Sequence, residues 1–167
     1  MNQRLVIGLA LALSGSVASA VADDPTGWKE IPWGSPPSAF EDVEEIESFE
    51  DPDTELFRGE ELTLEFQLDE YRVAGIPFEV KFYFDHEEEF SAFTLTWEGE
   101  EDRAEDAYQE IVRLLEERYK RKSVSSDESH RFGNSYLVRS ELGDASNGER
   151  EITITYLDPN EDQVDRL

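Results

Sequence analysis

Residues 62–97, LTLEFQLDEYRVAGIPFEVKFYFDHEEEFSAFTLTW, decide the fold of this chain. Apolar side chains occupy every second position in three segments of this stretch. They are Leu62, Leu64, Phe66 and Leu68; Phe78, Val80, Phe82 and Phe84; and Phe93, Leu95 and Trp97. Such alternation over consecutive segments is typical of an antiparallel sheet with one buried and one solvated face. The sequence therefore predicts a three-stranded meander at the centre of the domain.

Helical spacing replaces the strand pattern on both sides of the meander. Before it, Ser35 is a candidate N-cap and Pro36 suits the first helical position, which predicts a short amphipathic helix to about Ser48. After it, apolar residues recur at helical spacing from Asp102 to about Lys122. This second segment has acids in its first turn and cations in its last, as the helix dipole favours.

Two further strands are predicted at about 135–142 and 151–157, so the order of elements is α-β-β-β-α-β-β. This order predicts an α+β fold, an antiparallel sheet of about five strands with two helices packed on one face. The predicted single domain covers residues 35–157. An aromatic leader (21–34) precedes it, and an acidic polar tail (158–167) follows it.

The first twenty residues, MNQRLVIGLALALSGSVASA, have the pattern of a secretory signal peptide. One cation, Arg4, precedes an apolar run at 5–13, and a small-residue cleavage site ends at Ala20. Cleavage after Ala22 fits the same pattern. The alternative is a membrane anchor, but the run is about half of the ~20 residues that span a bilayer. We therefore expect a periplasmic or secreted protein without a membrane anchor.

Composition sets further bounds on the function. The chain has no cysteine, so neither disulfides nor a cysteine-linked lipid anchor can form, and core burial must stabilise the domain. Its 41 Asp and Glu against 15 Lys and Arg set a formal charge of −26. Removing a signal peptide with one cation and no acid makes this −27. Such a surface repels phosphate backbones and anionic lipids, which argues against binding to nucleic acids or membranes.

The acid excess has three possible explanations: calcium binding, disorder and adaptation to a saline exterior. Two acidic groups have part of the spacing of a calcium loop. They are Asp51, Asp53 and Glu55; and Asp158, Asn160 and Asp162. Neither has the glycine that an EF-hand loop needs at its turn. Patterned aromatic segments argue against disorder, and the diffuse acidity favours a solvated, salt-tolerant surface of the halophilic type.

The sequence contains no recognisable catalytic motif. It lacks both a Gly-x-Ser-x-Gly elbow and a glycine-rich phosphate loop. No nucleophile signature accompanies His86 or His130, so both histidines are interpreted as surface residues. The acids that follow His86 suggest only loose cation binding. We predict no cofactor and assign no catalytic or metal-binding residue.

Two features are candidate binding sites. The first is the leader, which carries Trp28 and Trp33. The second is a cationic run at the end of the second helix, and its members are Arg118, Lys120, Arg121 and Lys122. Each also has a structural explanation, because tryptophans pack cores and cations stabilise helix C-termini. As binding sites, the leader would form an aromatic patch, and the run would dock an acidic partner or an acidic patch on another copy.

Three short motifs occur between residues 28 and 122. They are IPWGS at 31–35, YRVAGIP at 71–77, and a long helix carrying Tyr108 and Tyr119. In these motifs the chain resembles a loose group of uncharacterised small exported bacterial proteins with an I-P-W-G-[ST] entry and a Y-x-V-x-G-x-P hairpin. The group's helix ends near L-x-x-x-Y-G, whereas Lys120 follows Tyr119 here. The resemblance implies export, but it assigns no functional residue to this chain.

These observations favour a non-enzymatic binding or envelope accessory domain that recognises another envelope protein or a small ligand. The first alternative is a carboxylate-based hydrolase whose site the acid excess hides. The second is a calcium-tuned structural module. A cleft with two or more buried carboxylates would favour the hydrolase, whereas an aromatic surface patch or an exposed sheet edge would favour binding.

Overall fold

A computed structural model describes residues 25–119, 122–126, 128–133, 138–145 and 147–159. The predicted signal peptide and residues 160–167 of the predicted tail lie outside the described residues. The elements in chain order are β1 (Gly27–Trp28), β2 (Ile31–Pro32), α1 (Ser38–Glu41), β3 (Glu47–Phe57), β4 (Glu60–Val73), β5 (Ile76–Phe84), β6 (Phe90–Gly99), α2 (Glu101–Tyr119), β7 (Lys122–Ser126), β8 (Ser129–Phe132), β9 (Val138–Asp144) and β10 (Arg150–Leu157).

One antiparallel sheet of eight strands dominates the fold, in the order β3-β4-β5-β6-β10-β9-β8-β7. It consists of two meanders, β3 to β6 and β7 to β10, and α2 connects them. The meanders join where β6 pairs with β10, with Phe93 opposite Tyr156 and Trp97 opposite Ile152. A separate two-stranded sheet, β1 and β2, belongs to the leader.

The predicted five-stranded α+β sheet with two helices on one face is therefore wrong, because the fold is mostly β. Three strands of the large sheet, β3, β7 and β8, do not appear in the sequence pattern. Two of them, β3 and β7, are the edge strands. An edge strand needs little apolar alternation, and β3 contains Pro52 and several acids, which are typical of protected edges.

The first helix is much shorter than the predicted 35–48, since α1 has only four residues. From Glu47 onward the chain pairs with β4 instead, so inter-strand hydrogen bonding ends the helical pattern. The fully buried Phe40 anchors α1. Its ring lies 4.9–5.5 Å from the rings of Phe66, Phe82, Phe84 and Phe90.

The second helix confirms the periodicity of its segment, because α2 covers Glu101–Tyr119 where the sequence predicts 102–122. Its buried stripe packs on the face of the sheet that holds the main core. Together α2, α1 and the leader hairpin cover this face, and Trp28 and Phe40 join the same hydrophobic cluster as Tyr108 and Tyr119.

Strand β4 does not keep its apolar side chains on one face, as the regular alternation predicts. Leu64 lies opposite Tyr83, and Phe66 lies opposite the next residue, Phe82. Two residues of β4 thus span one residue of β5, and this bulge moves later side chains to the other face. Leu62 and Leu64 consequently join a second, smaller cluster behind the sheet with Tyr83.

The aromatic residues with strand periodicity lie in the core, as predicted. Phe78, Phe82, Phe84, Phe93 and Trp97 are all buried. In the leader, where both core packing and a binding patch were open, Trp28 is buried and Trp33 is partly buried against the same core. Among the described helices, none is long and apolar enough to cross a membrane.

Candidate functional site

The leader reaches the sheet through a tight hairpin. Gly27 has φ of 132°, and a Cβ there would lie 2.2 Å from the carbonyl oxygen of Ile31. Only glycine fits this close backbone approach. Two hydrogen bonds of 2.9 Å then hold the leader to β6: the Gly34 N–H donates to the Phe90 carbonyl, and the Phe90 N–H donates to the Ser35 carbonyl.

Trp28 lies on the sheet with only 5% of its surface exposed. Its ring makes edge contacts with Tyr71 at 4.7 Å, Phe82 at 5.3 Å and Phe93 at 5.1 Å between centroids. Edge-to-face geometry at these distances is favourable for aromatic pairs. The buried indole Nε1 of Trp28 has no hydrogen-bond partner among the described residues.

Trp33 is only partly buried, and its indole N–H is satisfied. It donates to the carbonyl of Pro25 at 2.8 Å. The Trp33 ring stacks on Phe93 at 5.7 Å between centroids, and Phe93 in turn stacks on Tyr156 at 4.4 Å. The aromatic leader is therefore continuous with the side chains of β10.

The end of α2 meets this aromatic group at Tyr156. Burial raises the pKa of the Tyr156 hydroxyl well above its ordinary value, and a hydrogen bond with Tyr119 acts in the same direction. Burial also raises the pKa of the Tyr71 hydroxyl. Arg118 lies close enough to both hydroxyls to lower their pKa values and so oppose the effect of burial.

Two exposed cations lie on the aromatic rings. The Nζ of Lys29 is 5.6 Å from the ring centroids of both Trp28 and Tyr71. The guanidinium of Arg118 is 5.6 Å from the ring centroid of Tyr119, and its Nε donates to the Tyr119 hydroxyl at 3.3 Å. Both distances fit cation–π attraction.

The two predicted binding features thus meet at one place. We call this place the aromatic–cationic surface, and its residues are Trp28, Lys29, Trp33, Tyr71, Arg118, Tyr119 and Tyr156. Of the four predicted cations, the structure places the side chain of Arg118 alone. Lys120 and Arg121 lie outside the described residues, as does the side chain of Lys122, which begins β7.

Sequence reasoning missed Lys29, Tyr71, Tyr119 and Tyr156 as members of this surface. A signal existed for Tyr156, because it shares the period-two face of Ile152 and Ile154. Tyr71 lies beyond a second irregularity of β4, between Leu68 and Tyr71, so its face cannot be read from strand alternation. No sequence pattern indicates a role for Lys29, because the leader hairpin determines its position.

A second polar group lies inside the core, between α2 and the second meander. His130, interpreted from sequence as a surface residue, is buried in β8. Its Nδ1 is 2.9 Å from the hydroxyl of Tyr108, which also donates to the Ser140 carbonyl at 3.1 Å. Tyr108 and Ser140 are fully buried. His86, by contrast, is exposed as predicted.

An open cleft of about 320 Å³ lies beside the buried group. Its lining residues are Glu105, Asp106, Tyr108, Gln109, Glu128 and Leu142. The three carboxylates are exposed. The cleft thus presents solvated carboxylates rather than the buried carboxylates that would favour a hydrolase.

Buried acids and metal ligands are scarce over the described ranges. Asp158 is the one buried carboxylate among them. These ranges also contain no group of three or more His, Asp or Glu side chains that could hold a metal ion. The described part of the chain thus supplies no specific support for the hydrolase or the calcium-tuned alternative.

The edge strand β3 is the other candidate contact. Leu56 on this strand is 73% exposed. Pro52 lies in the same strand, and the pairing with β4 shifts register between Ser48 and Asp53. Proline, acids and irregular register are features that discourage strand addition at an edge. The aromatic–cationic surface is therefore the stronger candidate.

Comparisons with protein-family models, with curated proteins and with solved structures give no match to this chain.

Proposed function

We propose that this chain is a non-enzymatic binding domain of the cell envelope, periplasmic or secreted, and that its ligand contacts the aromatic–cationic surface. The observation that carries the proposal is that Trp28 contacts Tyr71, and that Arg118 lies close enough to Tyr71 and Tyr156 to act on their hydroxyls. Four separate parts of the chain contribute to this group: the leader, the end of α2 and the strands β4 and β10.

The composition of the surface supports contact with a ligand. Trp33, Tyr71 and Tyr156 are half-buried, so each presents part of a ring to solvent. Tryptophan, tyrosine and arginine are the residues that most often carry binding energy at protein contacts. Further half-buried apolar side chains pack against the same cluster, and they are Ile31, Val73 and Ile76.

The test is capture of a partner by the tagged full chain from envelope extract, at about 0.1 M and about 1 M salt, followed by an affinity measurement with the purified partner. Trp33→Leu removes one ring of the surface but keeps an apolar side chain. Phe57→Leu is the matched control, because Phe57 is a half-buried aromatic of the second cluster behind the sheet.

We expect one stoichiometric partner whose affinity falls at least tenfold in Trp33→Leu and stays unchanged in Phe57→Leu. Thermal melting of both variants shows whether either substitution has unfolded the domain. If no protein is retained at either salt concentration, or if Trp33→Leu binds the partner as tightly as the native chain, the proposal is wrong.

A further inference from the structure

We infer that the ligand of the aromatic–cationic surface is an acidic segment of another protein that carries an aromatic or aliphatic side chain beside its acids. This inference rests on the proposed function and adds the chemical class of the partner. It depends on how Lys29 and Arg118 differ from other cations of the chain.

Five cations elsewhere on the described surface are neutralised by carboxylates. They are Arg72, Lys81, Arg113, Arg139 and Arg150, each within 3.2 Å of an Asp or Glu oxygen. Lys29 and Arg118 make no ion pair with a carboxylate in the described ranges, and neither do Arg103 and Arg131. Arg103 lies 5.3 Å from the ring centroid of the buried Trp97, whereas Lys29 and Arg118 belong to a surface that has half-buried rings. On that surface, these two exposed cations are sites where an external carboxylate can bind.

The aromatic rings leave the hydrogen-bonding capacity of these cations available. A ring attracts the charge through its face and accepts little hydrogen bonding, so Lys29 keeps ammonium donors for a ligand. Arg118 uses its Nε toward Tyr119, and its terminal nitrogens can pair with a carboxylate.

The rings themselves favour a ligand with apolar side chains. Trp33, Tyr71 and Tyr156 are each partly exposed. A free inorganic anion would contact the cations but would leave these rings in water. An acidic protein segment with an aromatic or aliphatic residue contacts both the cations and the rings, because apolar burial adds to the charge-assisted hydrogen bonds.

The chain's net charge excludes larger polyanions from the same surface. With a formal charge of −26, the whole molecule repels a phosphate backbone or an anionic membrane at long range. A short acidic segment carries few charges, and at about 0.1 M salt the repulsion is screened beyond about 10 Å. Contacts within the surface are shorter than this and survive the screening.

The test uses an array of twelve-residue peptides of four compositions: acidic with apolar residues, acidic alone, apolar with Asn and Gln, and basic with apolar residues. Fluorescence anisotropy at about 0.15 M salt measures the affinity of the full chain for the best of each class. We expect the acidic-apolar peptides to bind at least tenfold more tightly than the other three classes.

Three variants locate the binding. Lys29→Gln and Arg118→Gln should each lower the affinity for the acidic-apolar peptide at least fivefold, while Arg118→Lys should retain part of this affinity. The matched control is Arg139→Gln. Arg139 is an exposed cation of β9, and the residues on either side of it, Val138 and Ser140, are buried. Its affinity should equal that of the native chain.

The outcomes separate this inference from the proposed function. If the captured partner is lost in Trp33→Leu but retained in Lys29→Gln and Arg118→Gln, the binding function stands and the acidic ligand is refuted. Equal binding of the acidic and the Asn/Gln peptides, or no binding by any class, also refutes it. If the native chain binds no peptide class and captures no partner, both the acidic ligand and the proposed binding function are refuted.

Discussion

The hydroxyl of Tyr108 on α2 lies 2.9 Å from Nδ1 of His130 on β8, inside the hydrophobic core. The hydroxyl of Tyr108 also lies 3.1 Å from the carbonyl of Ser140, and the tautomer of His130 sets which ring donates in the contact between the two rings. The hydroxyl of Ser140 also donates to Tyr108, at 3.3 Å. Three buried polar side chains thus satisfy one another and tie α2 to the second meander.

The first prediction concerns the two histidines. His130→Gln should lower the free energy of unfolding by about 1–3 kcal/mol, because it breaks a buried hydrogen bond and disturbs its partners. His86→Gln is the matched control and should change it by less than about 0.5 kcal/mol, since the side chain of His86 is 79% exposed. Urea unfolding of both variants measures the difference. Equal effects would show that the buried group does not stabilise the fold.

The second prediction concerns alkaline unfolding. Burial raises the pKa of Tyr108 to about 12, above the ordinary value of 10. The folded state therefore favours the neutral phenol, and the stability this contributes is complete below about pH 10 and is lost as the pH rises through about 12. Urea midpoints measured across this window should fall less steeply in Tyr108→Phe than in the native chain. Parallel curves would contradict the assignment.

The third prediction tests the leader hairpin. Gly27→Ala should cost about 1–3 kcal/mol, because it places a Cβ against backbone at a strained φ. Gly143→Ala is the control, since an added Cβ there meets nothing within 4 Å. It should be neutral or stabilise by up to about 1 kcal/mol. If the unfolding free energies of the two variants agree, the hairpin is not held by the close approach of Gly27 and Ile31.

The fourth prediction follows from the charge of −26. Raising sodium chloride from about 0.1 M to about 1 M shortens the Debye length from about 10 Å to about 3 Å and relieves self-repulsion. The thermal midpoint should therefore rise over this range. Potassium chloride should act equally if charge screening is the cause. A midpoint that stays constant or falls with added salt would refute the adaptation to a saline exterior.

Some elements are predictable from local pattern because local burial determines them. Strands β5 and β6 lie inside the sheet, and both bury their apolar alternation on one face, as Phe82 and Phe93 show. The period of α2 is equally clear. Strands β3 and β7 are the edges of the sheet, and neither has such a pattern in its sequence.

Only the residues of the candidate site that are unusual in their sequence context could be predicted as candidates for binding. Trp28 and Trp33 are conspicuous in a leader, and Arg118 is conspicuous in an acidic chain. Their meeting was not predictable, because it depends on how the leader and α2 pack across the same sheet. His130 was wrongly interpreted as a surface residue. A single histidine shows no periodicity that would indicate burial, and its position beside Tyr108 is visible only in the tertiary structure.

The sequence by itself determined the charge, the absence of cysteine, the central strand pattern and the long helix, because these depend on composition or on neighbours a few positions apart. Only the tertiary structure decided that eight strands form the sheet, that β4 changes faces at Leu64, and that Trp28 and Arg118 share one surface. These features depend on pairings between distant segments, such as Phe93 with Tyr156. Local periodicity does not encode such pairings, and they form because they bury the most apolar surface together.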